Sequence, residues 1–166
     1  MALKCQEVMS FRTLKVNAFR SYNAQLLGVD IEPDGISIEQ LEETLKTHDN
    51  IKLLYTIPNF QNPTGVTMSL AKRKAVYELA KRYGVMILED NPYGEVRFHG
   101  EDIPSIKSLD TEGIVIYVGS FSKVLSAGIR VGYVLAPLEI ARKWWSSSKA
   151  PMCIRICSRR CWRKGS

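Results

Sequence analysis

Short apolar runs without polar alternation recur along this chain of 166 residues, and a helical pattern separates each run from the next. The clearest runs are residues 51–57, 85–88 and 114–118. A strand that is apolar on both faces must be covered on both faces, as strands in parallel sheets are. Because helices supply that cover when strand and helix alternate, the sequence predicts an α/β fold with a mainly parallel sheet and helices on both faces.

Capping signals place the two main helices. Ser37 is a predicted N-cap for a helix that runs to about residue 47, with Gln40 as its capping-box partner. Ser69 begins a second helix that ends near residue 83, where Gly84 is suited to the C-terminal cap. Three further elements are predicted, namely strands at residues 26–31 and 130–136 and a helix at residues 138–145.

The two ends of the chain differ from its middle. We divide it into an irregular N-terminal segment at residues 1–18, an α/β domain at residues 19–145 and a basic, cysteine-rich tail at residues 146–166. Three tail cysteines, Cys153, Cys157 and Cys161, would share one face of a helix and could bind a metal. Because no histidine lies nearby and the spacing fits no zinc pattern, we favour incidental thiols and predict no metal site.

The net charge of +6 also comes from the C-terminal end. Residues 142–166 contain eight Lys or Arg and no acid, and the rest of the chain has 15 basic and 17 acidic residues. The domain itself therefore gives no sign of nucleic-acid binding. No apolar run approaches the ~20 residues that cross a membrane, and residues 1–17 lack the apolar stretch of a secretory signal. We expect a cytoplasmic protein without a membrane partner.

Polar residues follow the predicted strands, at the edge of the sheet where α/β proteins bind ligands. Asn62 lies in the loop 58–65, which two prolines and a glycine hold rigid. Asp90 follows the strand at 85–88, and Tyr93 comes three residues later. Simpler interpretations exist for each, since the loop could be only a turn, Asp90 a helix cap or ion pair, and Tyr93 part of the core.

Lys123 ends the run Ser120-Phe121-Ser122-Lys123, seven positions before Arg130. An amine, two hydroxyls and a guanidinium in one place suit a ligand that carries both an aldehyde and a phosphate, as pyridoxal phosphate does. Arg130 could bind the phosphate with two N–H groups while the hydroxyls donate to its other oxygens. The simpler alternatives are a solvent-facing lysine and a surface ion pair for Arg130.

Asn62, Asp90, Lys123 and Arg130 occur in this order, each beside a predicted strand. The ordered set resembles the fold type I pyridoxal-phosphate enzymes, specifically the aminotransferases of class I and II. The resemblance is closest to the subgroup of aminoadipate and kynurenine aminotransferases, and it covers residues 19–145 as part of that family's large domain. Its two most specific motifs are Asn62-Pro63-Thr64-Gly65 and Ser120-Phe121-Ser122-Lys123.

The resemblance implies a role for each residue. Lys123 would bond the cofactor aldehyde and later move a proton between the substrate Cα and the cofactor. Asp90 would pair with the pyridine nitrogen, and Asn62 and Tyr93 would hydrogen-bond the phenolic oxygen. The phosphate ligands would be Ser120, Ser122 and Arg130. The implied reaction is transamination between an amino acid and a 2-oxo acid, and the implied assembly is a homodimer.

Members of the resembled family are longer than this chain. They carry a glycine-rich phosphate loop and an arginine for the substrate carboxylate, and neither has a counterpart in this sequence. We therefore expect a truncated, weakly active or inactive fragment whose tail, residues 146–166, was read in a shifted frame. Two alternatives stay open: a pyridoxal-phosphate-sensing domain of a transcription regulator, and another reaction on the same fold. Asn62 favours the enzymes, because those regulators usually carry an aromatic residue at its position.

Overall fold

The computed structural model of this chain describes residues 6–9, 24–129 and 131–147, and only the backbone of 6–9 and 144–147. The strands are β1 (Gln6–Met9), β2 (Gln25–Gly28), β3 (Ile31–Glu32), β4 (Gly35–Ile36), β5 (Ile51–Thr56), β6 (Met86–Asn91), β7 (Val115–Ser120) and β8 (Gly132–Leu135). The helices are α1 (Ile38–Thr47), α2 (Leu70–Tyr83), α3 (Ile106–Leu109) and α4 (Leu138–Ser147). Arg130 and the three tail cysteines lie outside the described residues.

The main sheet has the strand order β2-β1-β5-β6-β7-β8 in the part of the chain that the structure describes. The pairs from β2 through β7 are parallel, whereas β8 runs antiparallel to β7. A parallel neighbour of β7 would need a crossover of a dozen or more residues, usually with a helix. The described residues of the connection, 121–129 and 131, carry only turns and the short 3₁₀ helix Ala127–Ile129. The prediction of a mainly parallel sheet is confirmed, with this one antiparallel edge.

The helix caps agree with the sequence at α2 and differ at α1. The Ser69 hydroxyl accepts a hydrogen bond from the backbone N–H of Lys72, and Gly84 adopts the left-handed conformation, with φ of 65°. Ser37, by contrast, makes no side-chain cap bond. The predicted capping box is wrong, because Gln40 Oε1 instead accepts the backbone N–H of Asp30 at 2.6 Å. Gln40 thus ties α1 to the loop that precedes the β3–β4 hairpin.

One apolar cluster holds the helices against the sheet. Its fully buried members include Leu41 of α1, Val76 of α2, Leu54 of β5, Ile87 of β6 and Val115 of β7. Contiguous apolar packing of this kind is the main favourable term in folding. The strand β1 lies in the N-terminal segment, where the sequence predicts no regular element, and it joins β2 to β5. Among the described residues, no helix is long and apolar enough to cross a membrane.

Candidate functional site

Three neighbouring parallel strands, β5, β6 and β7, end at one edge of the sheet. The strand pairing sets Asp90 beside Val118 and Asn91 beside Gly119. The loop after β5 carries Asn62, and the turn after β7 carries Lys123. Since the strands are parallel, all of these polar groups lie at their carboxyl ends, which is where α/β sheets bind ligands.

The loop that carries Asn62 is held in shape by Gln61, a residue that is only 2 % exposed. Gln61 Oε1 accepts the Thr64 hydroxyl at 2.6 Å and the Thr64 backbone N–H at 3.1 Å. Gly65 takes a φ of 75°, a conformation that favours glycine. The side chain of Asn62 itself is exposed, and its Nδ2 donates to the Tyr93 hydroxyl at 3.4 Å. The loop therefore places the side-chain amide of Asn62 beside the Tyr93 hydroxyl.

Asp90 is a buried carboxylate at the end of a central strand, with 5 % of the residue exposed. The hydroxyl of Tyr55 donates to its Oδ2 at 2.7 Å. Burial, together with the negative charge of Asp90, raises the pKa of Tyr55 above its ordinary range. Tyr55 therefore keeps its proton and acts as a donor. A hydrogen bond to a charged group of this kind is stronger than one between neutral groups.

A second buried network lies beside this pair. The guanidinium of Arg73, on the buried face of α2, donates to Asn59 Oδ1 at 2.7 Å. Asn59 Nδ2 donates to Asn91 Oδ1 at 2.9 Å, and Asn91 Nδ2 donates to the Tyr117 hydroxyl at 2.7 Å. Burial raises the pKa of Tyr117 and lowers that of Arg73. The network joins the ends of β5, β6 and β7 through side chains whose polar groups are satisfied.

Lys123 lies on the open side of the site. Its residue is exposed, and its Nζ is 5.8 Å from the centroid of the Tyr93 ring, within the distance of a cation–π contact. Ser120 Oγ accepts the backbone N–H of Ser122 at 3.2 Å, which folds the turn that carries the lysine. Gly119 permits the Tyr133 ring to pack on β7, since a Cβ there would lie 2.2 Å from Tyr133 Cζ.

The structure thus places Tyr93 beside both Asn62 and Lys123. Asp90 lies at the same edge of the sheet, while Ser120 and Ser122 lie at the start of the turn that carries Lys123. Arg130 falls outside the described residues. Among the described residues, no group of three His, Cys, Asp or Glu could hold a metal ion.

Sequence reasoning missed several residues of the two networks. They are Tyr55, Asn59, Arg73, Asn91 and Tyr117. Arg73 had a usable signal, because it precedes Val76, Tyr77 and Ala80 by three, four and seven positions and so shares their buried helical face. The others had none, since their partners lie 26 to 35 residues away in the sequence.

Geometry and sequence together define the class of protein. The sequence profile of the aminotransferases of class I and II matches residues 12–160, and the chain belongs to that family. Aromatic-amino-acid aminotransferase 1 of Thermococcus litoralis is 44% identical over 132 residues, which cover 77% of this chain and 32% of that protein. The predicted family is confirmed, and the chain spans about a third of the length of this curated relative.

Solved structures agree with the fold. The kynurenine aminotransferase of Pyrococcus horikoshii, in complex with PMP, superposes with a TM-score of 0.79 at 41% identity, covering 84% of this chain and 36% of that one. The α-aminoadipate aminotransferase LysN of Thermus thermophilus, complexed with N-(5′-phosphopyridoxyl)-L-leucine, gives 0.76 at 34% identity, covering 90% and 40%. The fold type I assignment is confirmed, as is pyridoxal phosphate as the cofactor of the family.

Proposed function

We propose that this chain binds pyridoxal phosphate at the carboxyl edge of its sheet and belongs to a machinery that transfers an amino group from an amino acid to a 2-oxo acid. The observation that carries the proposal is the placement of Tyr93 beside Asn62 and Lys123, at the same edge of the sheet as the buried carboxylate of Asp90. The membership of the chain in the aminotransferase family supports it. A homodimer and a cytoplasmic location, both expected from the sequence, belong to the same proposal.

The donor set fits the cofactor group by group. A buried carboxylate suits the ring N–H, because an ion pair is stronger where water is excluded. The Asn62 amide and the Tyr93 hydroxyl, already 3.4 Å apart, suit a single oxygen that accepts from both. An exposed amine suits an aldehyde, because it can be approached from solvent. The proposed phosphate ligands are Ser120, Ser122 and Arg130, as the family resemblance implies.

When bound, pyridoxal phosphate supplies a ring that draws electrons away from the carbon atom that bears the substrate amine. Asp90 keeps a proton on the ring nitrogen by its negative charge. Asn62 and Tyr93 orient the ring by holding its phenolic oxygen. The Lys123 amine would hold the cofactor at its aldehyde carbon, and it would take a proton from the substrate Cα and deliver it to that aldehyde carbon of the cofactor. The gain in rate rests on holding these groups in one geometry.

An absorbance titration tests the proposal. Pyridoxal phosphate is added to the purified chain, and a new band near the visible edge is expected. The band should vanish in Lys123→Ala and persist in Lys46→Ala, because Lys46 lies on α1 in an exposed pair with Glu42. A wild-type chain without the band, or a Lys123→Ala variant that retains it, would contradict the proposal.

The alternative of a cofactor-sensing regulatory domain is separated by a second measurement on the same sample. A substrate amino acid is added to the cofactor-bound chain, and the formation of the corresponding 2-oxo acid is followed by mass spectrometry. One equivalent of 2-oxo acid per bound cofactor supports an aminotransferase half-reaction. Cofactor binding without any 2-oxo acid favours the sensing domain, and a different product favours another reaction on this fold.

A further inference from the structure

Tyr55 lies on β5 at the site's buried end, one strand away from Asp90. In the parallel pair, Tyr55 is aligned with Leu88. Side chains two residues apart on a strand share a face, so Asp90 projects to the same face as Leu88 and lies ~6.6 Å further along β6. The length of a tyrosine side chain spans that offset, and its hydroxyl reaches Asp90 Oδ2 at 2.7 Å.

The contact between Tyr55 and Asp90 is buried, and its donor and its acceptor are defined. Both residues are 5 % exposed. Burial and the adjacent carboxylate raise the pKa of Tyr55, so the phenol donates and the carboxylate accepts. A carboxylate taken out of water is costly unless hydrogen bonds compensate it. The Tyr55 hydroxyl supplies one such bond, and a fixed donor also restricts rotation of the carboxylate about its Cβ–Cγ bond.

We infer that Tyr55 is a positioning residue for Asp90, and that it selectively strengthens the interaction of Asp90 with a protonated ring nitrogen. The inference rests on the proposed function, because it concerns the same ligand. Tyr55 does not act on the ligand itself in this account. Its effect passes through the carboxylate, which it holds in one orientation and keeps as a hydrogen-bond acceptor at the end of β6.

The test compares two ligands on the full chain. One is pyridoxal phosphate, and the other is its ring-carbon analogue, in which C–H replaces the ring nitrogen. Tyr55→Phe removes one hydroxyl and keeps the ring. We expect it to weaken the binding of pyridoxal phosphate about tenfold, or about 1.4 kcal/mol, and the binding of the analogue less than about twofold. Dissociation constants come from absorbance titration, so that turnover is not needed.

Tyr77→Phe is the matched control. Tyr77 is equally buried, but its hydroxyl accepts the backbone N–H groups of Thr111 and Glu112, away from Asp90. It should change neither dissociation constant. A change in packing at Tyr55 would weaken both ligands alike, so equal losses overturn the inference, as does an unchanged affinity for both. Thermal unfolding of each variant shows whether it is folded.

If Tyr55→Phe does not fold, 3-fluorotyrosine at position 55 serves instead. Fluorine makes the hydroxyl a stronger donor and so changes the charge on the Asp90 carboxylate, and we therefore expect a changed affinity for pyridoxal phosphate and an unchanged affinity for the analogue. The same outcome for both ligands would count against the role of Tyr55. A wild-type chain that binds neither ligand overturns the proposed function and this inference together. If the wild-type chain binds pyridoxal phosphate and the Tyr55 variants bind it equally well, only the inference is overturned.

Discussion

Replacing the buried Arg73 by methionine should destabilise the chain more than any comparable change on the same helix. Arg73 is fully buried, and burial lowers its pKa because the charged form is desolvated. Protein acceptors take over the hydrogen bonds that water makes to an exposed guanidinium. They are the carbonyls of Met68, Pro58, Ile103 and Pro104 and the side chain of Asn59. Methionine fills a similar volume but donates to none of them.

The expected loss follows from those acceptors. At ~1 kcal/mol for each unmet bond, five bonds amount to about 5 kcal/mol. Removing a desolvated charge returns part of that sum, so we expect a net loss of about 3–4 kcal/mol in the free energy of unfolding. With an m-value of about 2 kcal/mol per molar urea, the unfolding midpoint falls by about 1.5–2 M. Circular dichroism during urea titration measures the midpoint.

Arg82→Met is the control for that experiment. Arg82 lies on the same helix, but its side chain is 64% exposed and pairs with Glu42 at 3.2 Å. An exposed pair contributes about 0.5 kcal/mol or less. Equal midpoints for Arg73→Met and Arg82→Met would refute the reasoning, because they would mean that the buried acceptors find other donors at no cost.

Two further predictions concern a cap and a titration. Ser69→Ala should lower the free energy of unfolding by about 1 kcal/mol, because it removes the cap bond to Lys72. Ser37→Ala should lower it much less, because Ser37 makes no such bond. Equal urea midpoints for the two variants would contradict this prediction. Burial raises the pKa of Glu89 above its usual 4.5, although the backbone N–H groups of Lys107 and Ile106 oppose the shift. The folded state then binds more protons than the unfolded state, so stability falls as pH rises from about 4.5 through the raised pKa. Glu89→Gln removes this titration, and urea midpoints measured from pH 4 to 7 should show a weaker pH dependence than in the wild type; identical pH profiles would rule the explanation out.

Much of the fold could be predicted because its signals are local. Apolar strands without alternation predicted the parallel sheet, and Ser69 and Gly84 marked the ends of α2. The capping box at Ser37 failed for a tertiary reason. Gln40 had the spacing to bond back to Ser37, but the loop before β3 presents the backbone N–H of Asp30 to the same amide. A donor 10 residues away competed with the local one, and the residue pattern alone does not reveal that competition.

The site residues likewise divide into those that local sequence signals reveal and those that they do not. Asn62, Asp90 and Lys123 could be named in advance, because each lies at or just after the end of a strand predicted from the sequence and belongs to a motif read within a few residues. Their partners could not, since Tyr55 and Asp90 are 35 residues apart and Asn59 and Asn91 are 32 apart.

By itself, the sequence determined the alternation of strand and helix, the family and the candidate residues at the strand ends. Only the tertiary structure decided which side chains share a buried space. Parallel strand pairing sets the register between β5 and β6, and that register sets the Tyr55 hydroxyl beside the Asp90 carboxylate. The physical reason is that hydrogen bonds act over about 3 Å in space, whatever the separation of the two residues along the chain.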